Sequence, residues 1–495
     1  MGKLYMGFDA GTQSVKVAVY DEQFRLVTSR SLPTSLTYPQ PGWVEMDVNT
    51  YLDNCVVCMA ETTSELRRLG FDPKDVSAIM GDGIICGIVG IDENADPVTP
   101  YINYLDSRTM ADVETINAKK LDIWSRETGN PEASPMFPAM FARWFIANSE
   151  AFRTKGVKFV HNAPYILMRL AGLKGKDAFI DWGAMSGWGL GYDVQKKCWS
   201  EEQLHILGID PQYMPTIRKP WDIVGGLCEA MSVRTGLPAG IPILAGTCAM
   251  FCVSTSGIVP ELSKPGMGLI FNSGTLPDTY FYWGFVRTGG LSLRWFKDHV
   301  ARHEGDGSYY GTLSEGAAKV PAGAGGVQFL PYLTGGYGEE KEASGCFLNM
   351  TMDDNQFVMW RAVLEAIGYD YMGLADSYRA AGVPLKRITV TEGGSRDGLW
   401  NQIKSNMLGA EVVRFENPGG AVLTNCVFGA YAAGDLEGVD DVKAALGSVI
   451  KRSGVYKPEA ALTRRYRELF ENRQKLVRED LKAAFSRLVK MRAIH

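Results

Sequence analysis

The sequence lacks a strong charge bias and a long apolar run. Its 495 residues carry 51 Lys+Arg against 56 Asp+Glu, a net charge of −5, which gives no reason to expect nucleic acid or an anionic membrane as a partner. No apolar run approaches the roughly 20 residues that a membrane-spanning helix needs. The N-terminal MGKLYMGFDAGTQ has a strand pattern from its start and lacks the apolar core and cleavage site of a secretory signal.

The sequence also lacks a paired cysteine framework. Its nine cysteines are an odd number and lie scattered along the chain, which favours a reducing compartment and predicts a cytoplasmic protein. Cys55 and Cys58 form a CxxC pair, but helical periodicity up to Gly70 favours a core helix over redox or metal chemistry. At this length one core is not enough, so two or more domains are expected.

A strand and turn near the front of the chain form the richest motif. Its first bend reads Asp9-Ala-Gly11-Thr12-Gln13-Ser14, and the alternation around it predicts a β-hairpin. Gly11 permits close backbone approach to an anion, and the hydroxyls of Thr12 and Ser14 add donors. Asp9 beside a phosphate makes sense only with a Mg²⁺ ion between them. A plain turn with a polar cap is the alternative interpretation.

Three further glycine turns each follow a predicted strand or open a predicted helix. They are Asn272-Ser273-Gly274-Thr275, Gly393-Gly394-Ser395 before a helix from about Asp397 to Leu408, and Asn417-Pro-Gly419-Gly420. Glycines at the start of a helix can bind the phosphates of a nucleotide or pack against its flat face. One such loop is weak evidence, whereas four in one chain favour nucleotide binding.

The order of the motifs DAGTQS, PGWVEMD, LDSRT, DWGAMSG, NSGT, RAVLEAIGYD and EGGSRDGLWNQI resembles the FGGY carbohydrate kinases. The resemblance extends from about residue 5 to residue 435. It implies an α/β protein with two actin-like, ribonuclease H-like domains and ATP in the cleft between them. Residues 1–256 are then the sugar-binding domain with the first phosphate hairpin. Residues 257–495 are the adenosine-binding domain with the second phosphate hairpin and the C-terminal helix.

This resemblance implies ATP-dependent phosphorylation of a hydroxyl of a small sugar, ketose or polyol. Asp9 is expected to act in catalysis and to hold Mg²⁺. No nucleic acid or membrane is expected as a partner, and a homodimer is left open. The expected ATP-binding residues are Gly11, Thr12, Gln13, Ser14, Ser273, Gly274, Thr275, Gly393, Gly394, Ser395, Asn417 and Gly420.

The substrate-binding residues expected from the resemblance are Trp43, Asp82, Ile85, Cys86 and Asp106. Family members carry polar contacts at the strand and loop that here read GDGIICGIVGID, yet apolar Ile85 and Cys86 stand among those positions. Asp82 can hydrogen-bond a hydroxyl there, and Trp43 can stack on an apolar sugar face. Asp106 matches the family's W-x-D-x-R element, although Tyr104 stands where Trp is common. The alternative for each aspartate is a buried acid satisfied by arginine or backbone N–H groups. The particular sugar is therefore left open.

One carboxylate that the resemblance leads us to expect is missing. Residues 240–252 read GIPILAGTCAMFC, and the Asp that accepts the proton of the attacking hydroxyl in the family falls on Ala249. A positioned base contributes about 10²–10⁴ in rate, so low activity is expected while ATP binding survives. Two histories fit: an engineered inactive form of a kinase, or a natural pseudokinase that binds nucleotide and a polyol-like ligand as a sensor. A purely structural relative of actin would leave GWVEMD and LDSRT unexplained.

Overall fold

The chain folds into two compact units in the computed structural model. The first contains Met1–Trp283 and Gly419–Val449, and the second contains Gly284–Pro418 and Ile450–His495. The structure describes residues 2–246, 253–284, 286, 289–333, 335–336, 340, 342–391, 393–416 and 420–492. Strands and helices are mixed in both units, which confirms the α/β class. The functional boundary between residues 256 and 257 stays a prediction.

The strands follow the chain from the front hairpin to the second unit. They are β1 (Leu4–Ala10), β2 (Ser14–Asp21), β3 (Leu26–Pro33), β4 (Glu45–Met46), β5 (Val76–Gly83), β6 (Gly87–Ile91), β7 (Tyr101–Asn103), β8 (Lys158–Val160), β9 (Phe179–Asp181), β10 (Tyr192–Asp193), β11 (Cys198–Trp199), β12 (Thr216–Arg218), β13 (Ile223–Gly226), β14 (Pro242–Leu244), β15 (Val253–Thr255), β16 (Leu269–Ser273), β17 (Tyr280–Gly284), β18 (Gln328–Leu330), β19 (Cys346–Leu348), β20 (Arg387–Val390), β21 (Glu411–Glu416) and β22 (Lys451–Tyr456).

The α-helices connect these strands and cover the sheets. They are α1 (Val48–Arg68), α2 (Met110–Asn117), α3 (Pro138–Asn148), α4 (Glu150–Lys155), α5 (Asn162–Ala171), α6 (Trp182–Ser186), α7 (Glu201–Leu207), α8 (Glu229–Thr235), α9 (Gly289–Trp295), α10 (Tyr309–Ala317), α11 (Gln356–Ala380), α12 (Gly398–Leu408), α13 (Gly420–Ala432), α14 (Val439–Val449), α15 (Ala460–Lys475) and α16 (Lys482–Arg492). Within the described part of the chain, none is long and apolar enough to cross a membrane.

The main sheet of the first unit has the strand order β13-β14-β5-β1-β2-β3. β1 pairs antiparallel with β2, which confirms the predicted hairpin, and parallel with β5. Leu4, Met6 and Phe8 lie in the core on one face of this sheet. Tyr5 lies in a second core on the other face, together with side chains of α13. Helices therefore cover the β1–β5 pair on both faces, as is usual for parallel strands.

Two glycines allow this close packing. A Cβ atom on Gly7 would lie 2.8 Å from the carbonyl oxygen of Val422 in α13. A Cβ atom on Gly81 in β5 would lie 2.0 Å from the ring of Phe8. Neither position can take a larger side chain unless the helix or the ring moves.

The CxxC pair lies on α1, as the core-helix interpretation predicts. Cys55 and Cys58 are both buried. Burial raises the pKa of Cys58 to about 11, and it also raises the pKa of Cys55 well above its usual value. Both thiols are therefore protonated at neutral pH and act as small core side chains.

The second unit is organised around α11. Its buried Arg361 donates to Glu365 at 2.7 Å and to the hydroxyl of Tyr466 on α15 at 2.8 Å. The helix predicted after Gly393-Gly394 is confirmed as α12. Its N-cap is Asp397, whose carboxylate accepts from the Trp400 amide at 3.1 Å. The cap satisfies a backbone donor that would otherwise lack a partner at the helix start.

The fit of Phe8 against β5 predicts the effect of a single methyl group. Gly81→Ala should lower the free energy of unfolding by about 1–3 kcal/mol, because the added carbon overlaps a buried ring. Urea unfolding followed by tryptophan fluorescence measures this change. Gly438→Ala, where a Cβ would have no atom within 4 Å, is the matched control. Equal stability of the two variants would contradict the packing described.

Candidate active site

The phosphate hairpin predicted from DAGTQS is a tight turn between β1 and β2. The Gly11 amide donates to the Ser14 carbonyl at 3.0 Å. A Cβ atom on Gly11 would lie 3.5 Å from a carboxylate oxygen of Asp9, so the Asp9 side chain lies over this turn. Thr12 and Ser14 are half-buried, and Gln13 is exposed. The turn thus brings together a carboxylate, two hydroxyls and glycine backbone.

Neighbouring side chains hold the hairpin from outside. The Tyr51 hydroxyl on α1 donates to the Gly11 carbonyl at 3.0 Å, and burial raises the pKa of Tyr51. The Thr34 hydroxyl donates to the Thr12 carbonyl at 2.7 Å. The hydroxyls of Thr12 and Tyr104 are 3.4 Å apart, and this contact joins the hairpin to the segment that carries LDSRT.

Asp82 lies beside Asp9. The two residues are register partners on the parallel strands β5 and β1, and Asp82 is 2% exposed. One of its carboxylate oxygens accepts from the side-chain amide of Asn425 at 3.1 Å. The predicted metal residue and one predicted substrate residue are therefore adjacent at one edge of the sheet.

Arg108 organises the other predicted substrate residues. Its side chain is 2% exposed and forms ion pairs with Asp106 at 2.8 Å and Glu45 at 2.7 Å. Its guanidinium lies 3.8 Å from the ring centroid of Trp43 and 5.0 Å from that of Trp144. The cluster formed by Trp43, Glu45, Asp106, Arg108 and Trp144, here called the Arg108 cluster, combines buried ion pairs with cation–π contacts.

Asp106 has the partners expected of a buried structural acid, which is the alternative to a role in substrate binding. Its carboxylate accepts from Arg108 and, at 2.6 Å, from the backbone amide of Val44. Arg108 also covers a face of Trp43. The assignment of Asp106 and Trp43 to substrate binding stays a prediction.

Ile85 and Cys86 lie on the loop between β5 and β6. Cys86 is buried, and its Sγ lies 3.6 Å from the Gly187 carbonyl. Burial raises the pKa of Cys86 to about 12, so the thiol stays protonated. Ile85 is half-buried and lines a cavity of about 10 Å³, which is room for about one water molecule.

Among the described residues, His161 and Asp181 are the ionisable side chains that line this cavity. Burial lowers the pKa of His161 to about 4, so its ring is neutral at pH 7. Its Nδ1 is 2.6 Å from the Gly87 carbonyl and therefore carries the proton. Burial raises the pKa of Asp181 to about 7, although its carboxylate caps α6 by accepting from Gly183 at 2.8 Å.

The turn after β16 is held by Trp182, whose indole N–H lies 3.0 Å from the carbonyls of both Gly274 and Thr275. Ser273 is buried, and its amide donates to the Ser186 hydroxyl at 3.0 Å. The predicted roles of Ser273, Gly274 and Thr275 in ATP binding stay predictions.

In the second unit, Gly393, Gly394 and Ser395 form a short 3₁₀ turn before α12. A Cβ atom on Gly394 would lie 2.6 Å from the Trp400 ring. The Lys404 ammonium lies 3.6 Å from the centroid of the same ring, and burial lowers the pKa of Lys404 to about 7. Position 394 therefore requires a small residue, and it lies in the domain where the resemblance predicts adenosine binding.

Two expected residues, Ala249 and Asn417, lie outside the described residues. Gly420 starts α13 with φ +58°, in the left-handed region that glycine adopts most easily. Its predicted contact with ATP stays a prediction.

Three residues to which sequence reasoning gave no role lie at the site: Arg108, His161 and Asn425. Arg108 stands inside the quoted LDSRT motif, so its pairing with Asp106 was open to inference. Asn425 is an amide inside the apolar run AVLTNCVFGAYA, and such a residue signals a buried hydrogen-bonding role. His161 stands in FVHNAPY, where no pattern marks it.

Two domain models of one protein family match this chain, and the matched residues include parts of both units. Residues 4–251 match the FGGY family of carbohydrate kinases, N-terminal domain, and residues 242–433 match the C-terminal domain of that family. The chain belongs to the FGGY family of carbohydrate kinases. It is a carbohydrate kinase, and nucleotide use follows from this membership.

Relatives of this FGGY kinase match over nearly the whole chain. It is 25% identical to a gluconokinase of Bacillus subtilis, over 92% of each chain. It is 22% identical to a xylulose kinase of the same organism, over 95% of each. A xylulose kinase structure from Lactobacillus acidophilus aligns with TM-score 0.79 at 20% identity, covering 98% of this chain and 100% of that one. A gluconate kinase structure from L. acidophilus aligns with TM-score 0.77 at 21% identity, covering 97% and 99%. These structural matches confirm the fold.

We expect the protein to lose much of its stability when the charge of Arg108 is removed from the Arg108 cluster. Arg108→Met should destabilise the FGGY kinase by about 3–5 kcal/mol, because the carboxylates of Asp106 and Glu45 lose a buried positive partner. Arg68→Met removes a pair with Glu65 at an arginine side chain that is 70% exposed, and it should leave stability unchanged within error. Chemical unfolding of the two variants compares these effects. A similar stability of both variants would contradict the buried pairing.

Proposed function

We propose that this protein transfers the γ-phosphoryl group of ATP to a hydroxyl of a small sugar, sugar acid, ketose or polyol. The observation that carries this proposal is the β1–β2 hairpin, where the Asp9 carboxylate lies over the glycine turn and hydroxyls flank it. Family membership supports ATP as the phosphoryl donor. The names of the relatives, gluconokinase and xylulose kinase, support acceptors with several adjacent hydroxyls.

In this reaction the acceptor oxygen bonds to the γ-phosphorus, and the bond from that phosphorus to the β–γ bridging oxygen breaks to release ADP. The acceptor hydroxyl loses its proton on the way. The hairpin binds and orients the phosphates, which matters because positioning and charge stabilisation dominate phosphoryl transfer. Asp9 would hold Mg²⁺, which supplies positive charge against the phosphate oxygens.

Ala249 provides no acceptor for the proton. We infer that the chain as written has low turnover and retains nucleotide binding, since the phosphate hairpin and the glycine turns are present. Whether alanine was introduced or is native decides between a disabled kinase and a natural sensor of nucleotide and polyol. Ala249 is common to both readings, and a sensor of nucleotide and polyol is the second candidate.

Nucleotide binding is testable without a known acceptor. Mg-ATP at millimolar concentration should raise the melting temperature, because a ligand that binds the folded state stabilises it by RT ln(1 + [L]/Kd), about 2.7 kcal/mol at 100 Kd. Differential scanning fluorimetry with Mg²⁺ alone as the control measures the shift. An unchanged melting temperature at saturating Mg-ATP would contradict the ATP assignment.

Phosphoryl transfer is tested by restoring the carboxylate. Ala249→Asp should raise the turnover of the best acceptor roughly 10²-fold or more at saturating ATP, since it returns a general base. The acceptor comes from a screen of ketoses, aldonates and polyols, with ADP release measured in a coupled assay. Ala239→Asp adds the same charge at an exposed position and should leave turnover unchanged.

One result would count against the kinase proposal, and another against the role given to position 249. If Ala249→Asp gains nothing on any acceptor while both forms bind ATP, the protein is no acceptor kinase of this kind. If the unaltered chain already turns over an acceptor at the rate of the Asp variant, position 249 does not supply the base.

A further inference from the structure

A small cavity lies where β5 and β14 end. Among the described residues that line it, His161 and Asp181 carry the polar side chains, and the others are glycine or apolar. Gly83 in this lining is the register partner of Ala10 on β1, so the cavity adjoins the strand end that carries the phosphate hairpin. Gly83 and Ile85 are half-buried, so the cavity is not sealed inside the core.

The His161 ring is held in one orientation at this cavity. Its Nδ1 donates to the Gly87 carbonyl at 2.6 Å. The next residue, Asn162, donates to the Ala10 carbonyl at 2.7 Å and accepts from the Ile84 amide at 3.1 Å. These bonds fix the position of the ring relative to the ends of both β1 and β5.

The other ring nitrogen of His161 is a buried acceptor. Because Nδ1 holds the proton and burial lowers the pKa of the ring to about 4, Nε2 presents a lone pair at neutral pH. It is buried and has no hydrogen-bond partner among the described residues, although the ring also lies near the Ala184 backbone. Asp181 already accepts from the amides of Gly183 and Ala184 at 2.8 and 3.1 Å. A buried acceptor without a partner costs free energy, so Nε2 favours a ligand that brings a donor.

The size and the polarity of the cavity indicate which donor fits. Its volume of about 10 Å³ has room for one group the size of a water molecule. A hydroxyl group has that size and donates one hydrogen bond. A carboxylate or a phosphate is larger and presents acceptor oxygens to a lone pair, so this space disfavours both.

We propose that the Nε2 atom of His161 binds the acceptor by accepting a hydrogen bond from one of its hydroxyl groups. His161 is then a specificity-determining residue, and it supplies a polar contact that apolar Ile84 and Ile85 on the loop after β5 do not provide. Such a contact discriminates well, because an analogue that lacks the hydroxyl leaves a buried polar atom unpaired. The proposal rests on the proposed function, since the acceptor is the sugar or polyol of that reaction.

The test measures binding to the full chain with Ala249 in place, so it does not require phosphoryl transfer. Glycerol, xylitol, D-xylulose and D-gluconate are the probes, and isothermal titration calorimetry gives the affinity of each. His161→Phe keeps a ring but removes the acceptor, and it should weaken binding of the best probe about 10-fold or more. If no probe binds the unaltered chain, or if a folded His161→Phe variant binds the best probe with unaltered affinity, the proposal is wrong.

Thr99→Val is the matched control for the lost bond to Gly87. The Thr99 hydroxyl accepts from the Gly90 amide at 2.8 Å, so this variant removes another buried side-chain hydrogen bond to β6. It should bind the best probe as the unaltered chain does. An equal loss of affinity in Thr99→Val and His161→Phe would show a structural effect and overturn the proposal.

Monodeoxy analogues of the best probe identify the hydroxyl that His161 contacts. One analogue should bind the unaltered chain about 10-fold more weakly than the intact probe. The same analogue and the intact probe should bind His161→Phe equally, because the partner of that hydroxyl is already absent. An analogue series that loses as much affinity in His161→Phe as in the unaltered chain would contradict the contact.

Nuclear magnetic resonance of the ¹⁵N-histidine-labelled, unaltered chain decides the matter if His161→Phe does not fold. The Nε2 resonance of His161 should not titrate near neutral pH, because burial lowers the pKa of this ring to about 4. Saturation with the best probe should shift that resonance toward the frequency of a hydrogen-bonded nitrogen. An unmoved resonance at saturation would overturn the proposal.

The proposed kinase function fails on different evidence. A chain that phosphorylates an acceptor, and whose His161→Phe variant binds that acceptor with unaltered affinity, refutes the His161 contact and leaves the kinase proposal intact. A chain whose His161→Phe variant loses affinity for a probe, but which transfers phosphate to no acceptor even as Ala249→Asp, supports the contact and refutes the kinase proposal.

Discussion

The direct packing of α13 onto β1 and β5 is the contact on which the candidate site depends. Gly7 makes it possible, because a Cβ atom there would lie 2.8 Å from the Val422 carbonyl. The helix brings Asn425 to the Phe8 carbonyl across 417 positions of the chain. Without that close approach, Asn425 could not donate to Asp82, which lies beside Asp9 at the ends of the two strands.

The two aspartates that the sequence assigns to one pocket have different electrostatic surroundings. Asp106 pairs with a guanidinium held between tryptophan rings, so its charge is neutralised inside the protein. Asp82 accepts from a neutral amide and lies beside a second carboxylate. A compensated acid of this kind, such as Asp106, suits a structural role.

Local elements were predictable where periodicity and glycine turns agree. The β1–β2 hairpin, the core helix with Cys55 and Cys58, and α12 after its glycines follow from short-range alternation and capping. The partners of Asp106 agree with the alternative of a buried acid satisfied by arginine and backbone N–H groups, although the sequence did not single out Arg108 as that arginine. The neutral state of His161 was not predictable, since its low pKa comes from burial by segments far along the chain.

The sequence by itself determined the family, the hairpin with its acid, and the absence of a carboxylate at position 249, because each depends on residue identity and short spacing. Only the tertiary structure decided that Asp82 is the register partner of Asp9 and that the Asn425 amide nitrogen donates to Asp82. Strand register and helix packing set those distances. Both result from long-range burial of apolar faces, which no local pattern specifies.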